Sequence, residues 1–255
     1  MNKNLYGKEQ YYELWYTLFK ESLSGMSIGV GGAVETSGEE NVLKMLKTKY
    51  KVKTLFDVGA NVGNYTKLLL EYFPEASIHS FEPSKQTYQK LKENVHDKNV
   101  ILNHLGIGNK ISKEILYYDK ECSGLASLYH RQLDYFNIEF NLKEEVKIET
   151  LDHYCERNNI DSIDLLKMDI EGNELNALKG ANRLLREKKI NHIQIEFGGC
   201  NIDSRTFFRD FWNLLHDDFK VYRILQDGFR EIPCYGERLE CFITTNYLFV
   251  KKDLI

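Results

Sequence analysis

The strongest chemical signal in the sequence is a glycine-rich loop that contains Asp57, Gly59, Asn61, Gly63 and Asn64. Glycines in such a loop let the backbone approach a bound ligand closely. The loop lacks the dinucleotide pattern Gly-x-Gly-x-x-Gly, since Asn61 occupies the second glycine position. An acidic residue stands two positions before the first glycine, and a carboxylate suits a cationic group better than a pyrophosphate. The loop therefore predicts a ligand with a positive charge and no phosphates, although an ordinary strand-to-helix turn is the alternative.

A second acidic residue, Glu82, lies in Phe-Glu-Pro at the end of the next apolar run. A carboxylate at this place can accept hydrogen bonds from both hydroxyls of a ribose. Together with the loop, Glu82 indicates a nucleoside that carries a cationic tail. S-adenosylmethionine (SAM) fits that description.

Further charged residues fall at Lys167-Met-Asp169-Ile-Glu171. If a strand persists through them, all three charges point to one face, where burial without partners is costly. We expect Lys167 to form an internal ion pair, and Asp169 and Glu171 to emerge at the carboxyl edge of the sheet. Glu196 ends the neighbouring strand. These acids are candidates for a general base, with a hard divalent-metal site as the alternative; we assign no metal ligand.

A segment with loop character, residues 122–137, carries His130, Arg131 and several aromatic residues. His130 is a further candidate base, because an unperturbed histidine titrates near neutral pH; a solvated loop histidine is the alternative. Arg131 is a candidate clamp for a phosphate. The aromatic rings can stack on sugar faces, or they can pack as a lid.

The elements that position these residues alternate between strand and helix from Lys53 onward. Such alternation implies right-handed crossovers and a mainly parallel sheet. The last two strands are joined by a loop too short for a crossover helix, so we expect them to pair antiparallel at the sheet edge. The predicted strands are TLFDVG, ASIHSFEP, NVILNHLG, IDLLKMDIEG, NHIQIEFGG, KVYRILQD and NYLFVKK.

The chain divides into an N-terminal helical extension, residues 1–50, and one domain, residues 51–255. The extension contains an aromatic packing helix at residues 11–23 and a glycine-rich turn at residues 25–32. Within the domain, residues 110–159 form an insertion between the third and fourth strands. We expect this insertion to lie over the strand ends, where open α/β sheets bind ligands.

The segments DVGANVGNYT, FEP and LLKMDIEGNELNALKGA resemble, in this order, the FkbM-type class I SAM-dependent methyltransferases. The match runs from about Glu39 to Lys251. The resemblance implies an α/β fold with a Rossmann-like, seven-stranded, mostly parallel sheet whose last strand is antiparallel. It also implies methyl transfer from SAM, with S-adenosylhomocysteine (SAH) as product, usually to a hydroxyl of a sugar or natural product.

The same resemblance implies roles for individual residues. The methionine amino group is expected near Asp57 and Gly59, the ribose on Glu82 and the adenine near Gly106. Ser127 occupies a place where the family often has a serine near the donor. The other expected donor-site positions are Ala60, Asn61, Gly63, Asn64 and Pro83.

These observations predict a SAM-dependent O-methyltransferase that acts on a sugar hydroxyl. A nucleotide-activated sugar used in surface polysaccharide or capsule biosynthesis is the acceptor we favour. A polyketide, lipid or amine acceptor is the alternative within the same class. A catalytically silent SAM-binding module is disfavoured, because the acidic residues at the loop and strand ends are all present.

Composition limits the partners. The chain has 255 residues, with Lys+Arg 34 against Asp+Glu 38, and this balance argues against nucleic acid as a partner. The longest uncharged stretch, residues 22–34, is too short to span a bilayer, and the polar first residues lack the apolar core of a signal peptide. Five irregularly spaced cysteines without Cys-x-x-Cys predict neither a zinc site nor a disulfide framework. We therefore expect a cytoplasmic protein, whose aromatic N-terminal helix covers its own sheet or a partner subunit in a homodimer.

Overall fold

The predicted alternation of strands and helices is present in the computed structural model, which describes residues 5–30 and 37–254. The extreme N-terminus of the extension and the end of the glycine-rich turn lie outside the described residues. The strands are β1 (Thr54–Val58), β2 (Ser77–Phe81), β3 (Val100–Asn103), β4 (Gly106–Ile107), β5 (Ser112–Tyr118), β6 (Leu142–Glu149), β7 (Ile163–Met168), β8 (Ile190–Phe197), β9 (Phe219–Leu225), β10 (Gly228–Ile232) and β11 (Thr245–Lys251). The α-helices are α1 (Tyr12–Gly25), α2 (Glu39–Lys49), α3 (Asn64–Tyr72), α4 (Lys85–Asn94), α5 (Leu151–Arg157), α6 (Glu174–Lys179), α7 (Asn182–Arg186), α8 (Cys200–Asp203) and α9 (Phe208–Leu215).

The main sheet has the strand order β10-β9-β11-β8-β7-β1-β2-β3. Strands β3, β2, β1, β7 and β8 run parallel, and β11 is antiparallel to both of its neighbours. The Rossmann-like, mostly parallel sheet with an antiparallel last strand is thus confirmed. The loops that follow β1, β2, β7 and β8 all lie at one edge of the sheet, where these parallel strands end.

The sheet differs from the prediction at its far side. Strands β9 and β11 do pair antiparallel, but β11 lies between β8 and β9, and an eighth strand, β10, forms the edge. A two-residue turn joins β9 to β10, since Leu225 pairs with Gly228. Asp227-Gly228 is a hairpin signal in the sequence, yet the charged, partly exposed edge strand that follows lacks the apolar run of a central strand.

Both faces of the sheet are covered by helices, because parallel strands must be buried on both sides. Alternate residues of β1 serve the two faces. Leu55 packs in the cluster formed with α2 and α3, whereas Phe56 and Val58 pack with α5, α6, α7 and α9 on the other side. The strand ends are thereby held in a rigid core.

The insertion, residues 110–159, contributes β5 and β6, which pair with β4 in a small second sheet of order β4-β6-β5. Helix α5 then leads back to the main sheet. Residues 122–137 form a loop that includes one 3₁₀ turn, Asp134–Phe136, and a bridge between Ser127 and Tyr117. This loop reaches across the carboxyl edge of the main sheet.

The N-terminal extension differs from the prediction in its packing. Helix α1 forms as expected, but none of its residues is buried, so its role as a packing helix is not supported. Helix α2 does pack, with Glu39, Val42, Leu43 and Leu46 on its buried side. Among the described residues, no helix has the length and apolar character needed to cross a membrane.

Candidate active site

A cavity of about 920 Å³ lies at the carboxyl ends of the central strands. The loops after β1, β2, β7 and β8 form its floor. The start of α2 borders it on one side, and the small sheet with the loop at residues 122–137 borders it on the other. This is the place where open α/β sheets bind ligands, so the insertion lies where we expected it.

The glycine loop, residues 59–63, is packed too tightly to accept side chains at its glycines. Gly59 has φ +86°, and a Cβ atom there would lie 1.9 Å from the carbonyl oxygen of Asp169. The N–H groups of Gly59 and Ala60 both donate to the carbonyl of Phe81, at 3.0 and 2.9 Å. Two backbone donors are therefore turned toward β2 and away from a ligand. This geometry fits the expected phosphate-free ligand. Gly63, with φ +93°, is the N-cap residue before α3.

Asn61 ties the loop to its surroundings. Its N–H donates to Glu82 Oε2 at 3.1 Å, and its Nδ2 donates to the carbonyl of Ser123 in the insertion at 3.0 Å. Its backbone is left-handed, with φ +48°. Asn64, the first residue of α3, lines the cavity beside it. The loop, the end of β2 and the insertion are thus joined through one side chain.

Glu82 lies at the end of β2 and lines the cavity together with Pro83. Burial raises the pKa of its carboxyl to about 7, although N–H groups of Ser84 and Asn61 donate to it. Each oxygen accepts one such bond and keeps a lone pair that can face the cavity. Glu82 therefore presents acceptor capacity to the cavity, and its role in binding a ribose stays a prediction.

Asp57 is placed differently from the prediction. It is fully buried and does not line the cavity. Asp57 follows Leu55 by two positions, so its side chain points to the same covered face of the sheet. There its Oδ2 accepts a hydrogen bond from Thr66 at 2.7 Å, and its Oδ1 lies 3.5 Å from Lys167 Nζ. Asp57 therefore supports Lys167 from beneath the loop.

Lys167, near the end of β7, is buried but lines the cavity. Its Nζ lies 3.5 Å from both Asp57 Oδ1 and Asp169 Oδ2, so the expected internal ion pair is present. Burial lowers the pKa of this ammonium, but the negative charges of Asp169, Asp57 and Glu39 outweigh burial and raise the pKa above its ordinary value. Lys167 is a fixed cation in the floor of the cavity.

The strand that carries these charges ends earlier than predicted. Strand β7 stops at Met168, and Glu171 has the left-handed φ of +52°. The side chain of Glu174 causes the chain to turn, because it accepts the N–H groups of Ile170 at 2.9 Å and Gly172 at 3.1 Å. We call residues 169–173 the acidic turn. Strand alternation thus does not explain how its carboxylates are positioned.

The turn nevertheless brings the predicted acids together. Three carboxylate oxygens, one from each of Asp169, Glu171 and Glu196, lie within 4.8 Å of one another. Burial raises the pKa of Glu171 to about 8, the charge of Asp169 adds to this effect, and Arg131 opposes it. Burial and the charge of Asp169 also raise the pKa of Glu196. The side chain of Asp169 is 42% exposed, against 11% for Glu171.

The insertion supplies a cation to this cluster. Arg131 is 7% exposed, pairs with Glu171 through Nη1, and lies 3.6 Å from Asp203 through Nε. Arg131 also lines the cavity, and its expected role as a clamp for a phosphate stays a prediction. His130, next to it, is exposed and contacts the rings of Tyr117 and Phe140.

His130 does not line the cavity, so the geometry gives no support to its assignment as a base. Ser127 also lies behind the cavity wall, where it is 1% exposed. Its Oγ donates to the carbonyl of Glu171 at 2.7 Å. The insertion therefore supports the acidic turn through both Ser127 and Arg131.

An apolar slot occupies the end of the cavity next to Glu82. Gly106 borders it, and a Cβ atom at this glycine would lie 2.8 Å from Ile148 Cδ1. Asn173 closes the slot by donating to the carbonyl of Ile107 at 2.9 Å. A flat aromatic base fits such a slot. Its lining residues are Pro83, Gly106, Ile107, Leu116 and Ile148.

Sequence reasoning missed two contributors to the site. Glu174 looks like an ordinary first-turn acid of a helix. Glu39, in the N-terminal extension, lines the cavity. A signal for Glu39 was present, because residues 39, 42, 43 and 46 follow helical spacing and share one buried side. An acid on an apolar side of a helix is a candidate for a buried role.

A sheet of this order, with a carboxylate after β2 and no free phosphate-binding donors at the loop, defines a class I methyltransferase fold. The family model described as "Methyltransferase FkbM domain" matches residues 57–224. The chain belongs to the FkbM methyltransferase family, as the sequence resemblance predicted, and the cofactor of this family is SAM.

Two curated relatives are similar over about half to two thirds of this chain. The 2-O-methyltransferase NoeI of Sinorhizobium fredii is 25% identical over 149 residues, which are 53% of this chain and 60% of the relative. The hexuronic acid methyltransferase AglP of Haloferax volcanii is 24% identical over 164 residues, or 63% of this chain and 64% of the relative. The chain thus matches less than two thirds of the length of either relative.

Among solved structures, the plantazolicin methyltransferase BpumL in complex with SAH is similar along 98% of this chain and 93% of its own. The sequence identity is 10% and the TM-score is 0.45.

Proposed function

We propose that this protein transfers the methyl group of SAM to a hydroxyl group of a sugar. One observation carries the proposal: a cavity suited to a phosphate-free nucleoside ends at a cluster of three carboxylates, Asp169, Glu171 and Glu196. The donor and a proton acceptor can therefore occupy one cavity.

The donor fits the cavity in one direction. The apolar slot beside Gly106 would hold the adenine, and Glu82 would accept hydrogen bonds from the ribose hydroxyls. Gly59 and Lys167 would border the methionine end. The reactive end of the donor would then lie near the acidic turn, because Gly59 packs directly on the carbonyl of Asp169.

Methyl transfer to oxygen is an in-line displacement, in which the hydroxyl oxygen attacks the methyl carbon and the sulfur leaves as a thioether. A sugar hydroxyl is a weak nucleophile, so loss of its proton to a positioned base assists attack. We assign this role to Asp169, because 42% of its side chain is exposed and Glu171 is buried. Glu171 and Glu196 orient the hydroxyl by hydrogen bonds.

The same three carboxylates have a spacing that a divalent cation can bridge. Two cations of the protein already pair with the cluster, Lys167 with Asp169 and Arg131 with Glu171. Their charges offset part of the negative charge that would attract a metal ion. We therefore favour the side-chain base.

Two kinds of observation favour a sugar as the acceptor. Tyr135 and Phe136 line the cavity from the insertion while remaining largely exposed, and exposed rings at a polar site can stack on sugar faces. In addition, the names of the two relatives given above describe a 2-O-methyltransferase and a hexuronic acid methyltransferase. A nucleotide-activated sugar for a surface polysaccharide or capsule remains our preferred acceptor.

The experiment is turnover of SAM against a panel of nucleotide sugars and free sugars, with SAH and the methylated product detected by mass spectrometry. We expect Asp169→Asn to bind SAH within about threefold of the wild type and to lose at least about 100-fold in kcat. Asp161→Asn, an acid in the loop before β7, is the control and should retain full activity.

Three results would contradict parts of the proposal. Failure of the wild type to bind SAM or SAH would refute the methyltransferase function. Full activity of Asp169→Asn would exclude Asp169 as the base. Loss of activity with a chelator, restored by a divalent metal, would replace the side-chain base by a metal centre.

A further inference from the structure

The N-terminal extension places one buried acid in the cavity. Glu39 is the first residue of α2 and is 9% exposed, yet it lines the cavity together with Gly59, Asn64 and Lys167. Its partner Gln194 is on β8, three strands away from β2 in the main sheet. The family model begins at residue 57, so Glu39 lies outside the segment that it matches.

The carboxylate of Glu39 is held by two neighbours. Gln194 Nε2 donates to Oε1 at 2.7 Å, and Ser37 Oγ donates to Oε2 at 2.9 Å. The amide of Gln194 is itself oriented, because the hydroxyl of Tyr65 donates to its Oε1 at 3.2 Å. Each oxygen of Glu39 still has acceptor capacity after these bonds. Glu39 is therefore a fixed acceptor with room for another donor.

The charges around Glu39 are unbalanced in favour of the negative sign. Asp57, Asp169 and Glu39 all act on one ammonium, that of Lys167. Burial raises the pKa of Glu39, the charge of Lys167 opposes this effect, and the charge of Asp169 adds to it. A ligand that brings a cation beside Glu39 would relieve the excess negative charge.

Lys167 offers the complementary group. Its Nζ is in ion-pair range of two carboxylates, but no hydrogen bond joins it to another residue in the described part of the chain. Its donors are thus available to an anion in the cavity. Glu39 and Lys167 together present one negative and one positive group at the same end of the cavity.

We infer that this pair binds the amino-acid end of the donor, Glu39 accepting from the α-ammonium group and Lys167 donating to the α-carboxylate. The N-terminal extension then completes the cofactor site. The inference rests on the proposed function, because it takes SAM as the ligand. It also gives Glu39 the role that Asp57, buried beneath the loop, does not have the exposure to perform.

The test compares two ligands that differ in the amino-acid tail. SAH carries the tail, whereas 5′-methylthioadenosine has the same adenosine and a thioether without it. We expect Glu39→Gln to raise the Kd for SAH by roughly 10-fold to 100-fold, as for the loss of a charge-assisted hydrogen bond. The Kd for 5′-methylthioadenosine should stay within about twofold of the wild type. Isothermal titration calorimetry measures both constants.

Glu40→Gln is the matched control, since Glu40 is the next residue of α2 and pairs with Lys44 and Tyr72 outside the cavity. It should bind both ligands as the wild type does. Unchanged SAH affinity in Glu39→Gln, or an equal loss for both ligands, would overturn the inference and leave Glu39 a structural residue. A wild type that binds neither ligand would instead refute the proposed function, so the two failures are distinguishable.

Discussion

Individual acids at this site have chemically different environments despite their proximity. Asp169 is partly exposed and pairs with Lys167, whereas Glu171 is buried and has a pKa raised to about 8 by that burial. Glu82, at the other end of the cavity, is held by backbone N–H groups and has a pKa of about 7. Position in the fold, more than residue type, therefore determines how readily each of these buried acids ionises.

Glu82 gives a prediction at the scale of one residue. A ribose hydroxyl donates to the ionised carboxylate, which forms as pH rises through about 7. We expect SAH to bind about tenfold more tightly at pH 8 than at pH 6. Glu82→Gln should weaken binding by roughly 10-fold to 100-fold and remove this pH dependence. Calorimetric titrations at both pH values measure these effects.

The control for Glu82 is Glu93→Gln, an exposed acid of α4 that pairs with Lys90. Its affinity and pH dependence should equal those of the wild type. An unaltered pH dependence in Glu82→Gln would show that another acid titrates on binding.

For single residues, the sequence predicted which acids lie at strand ends better than it predicted where side chains point. Glu82, Asp169 and Glu196 stand at strand ends, and strand ends are recognisable from apolar runs. Asp57 and His130 were assigned from type and spacing alone. Whether a side chain faces the cavity or a covered face depends on packing between distant segments, which the local sequence does not specify.

At one point beside the cavity, two elements of the fold are in contact with no side chain between them. Gly59, after β1, lies against the carbonyl of Asp169, after β7. The glycine loop and the acidic turn are therefore in direct backbone contact. Only a residue without Cβ permits this approach.

Gly59→Ala tests this contact between elements. The added methyl would lie 1.9 Å from the Asp169 oxygen, and the backbone has φ +86°, so the loop must move or the strands must separate. We expect a loss of about 3 kcal/mol or more in the free energy of unfolding. Gly236→Ala is the control, because a Cβ there meets nothing within 4 Å. Denaturation with urea compares both variants with the wild type, and equal stability of the two would contradict the packing argument.

Strands and helices were predictable where their hydrophobic patterns were uninterrupted. The central strands are buried on both sides and read as continuous apolar runs. The end of β7 was not predictable, because Glu174 captures the backbone N–H groups of the following turn and stops the strand. Helix α1 was predicted, but its exposure was not, since an aromatic helix pattern does not reveal whether the rest of the chain covers the helix.

In the molecule as a whole, several buried acids keep their protons near neutral pH. Burial raises the pKa values of Glu82 and Glu174 to about 7 and that of Glu171 to about 8. Burial lowers the pKa values of His79 and His192 to about 4. As pH rises, the acids therefore lower stability and the histidines raise it.

These shifts predict how stability depends on pH. Unfolded glutamates titrate near pH 4.3, so from about that pH up to 8 the folded protein holds three glutamate protons that the unfolded chain has lost, and their contribution to stability falls as pH rises. Between about pH 4 and 6.5 the unfolded chain binds protons at His79 and His192 that the folded state does not, and these two protons offset part of that fall. We therefore expect Tm of the ligand-free protein to change little below pH 6.5 and to be roughly 5 °C lower at pH 8.5 than at pH 6.5.

Scanning calorimetry at constant ionic strength measures this profile. Glu171→Gln should reduce the fall above pH 7, because glutamine does not titrate. The exposed acid Glu93, changed to glutamine, should leave the profile as it is in the wild type. A Tm that stays constant or rises between pH 6.5 and 8.5 would refute the assignment of raised pKa values.

The contact between Gly59 and Asp169 also affects how the acceptor range of such a protein can change. The glycine loop beneath the proposed donor position and the proposed base, Asp169, are joined by a direct backbone contact. This contact in the scaffold fixes the distance over which the methyl group is transferred. The insertion, by contrast, attaches to that scaffold from outside. We expect that exchanging the insertion between relatives changes which acceptors are methylated. The geometry of methyl transfer itself should stay the same.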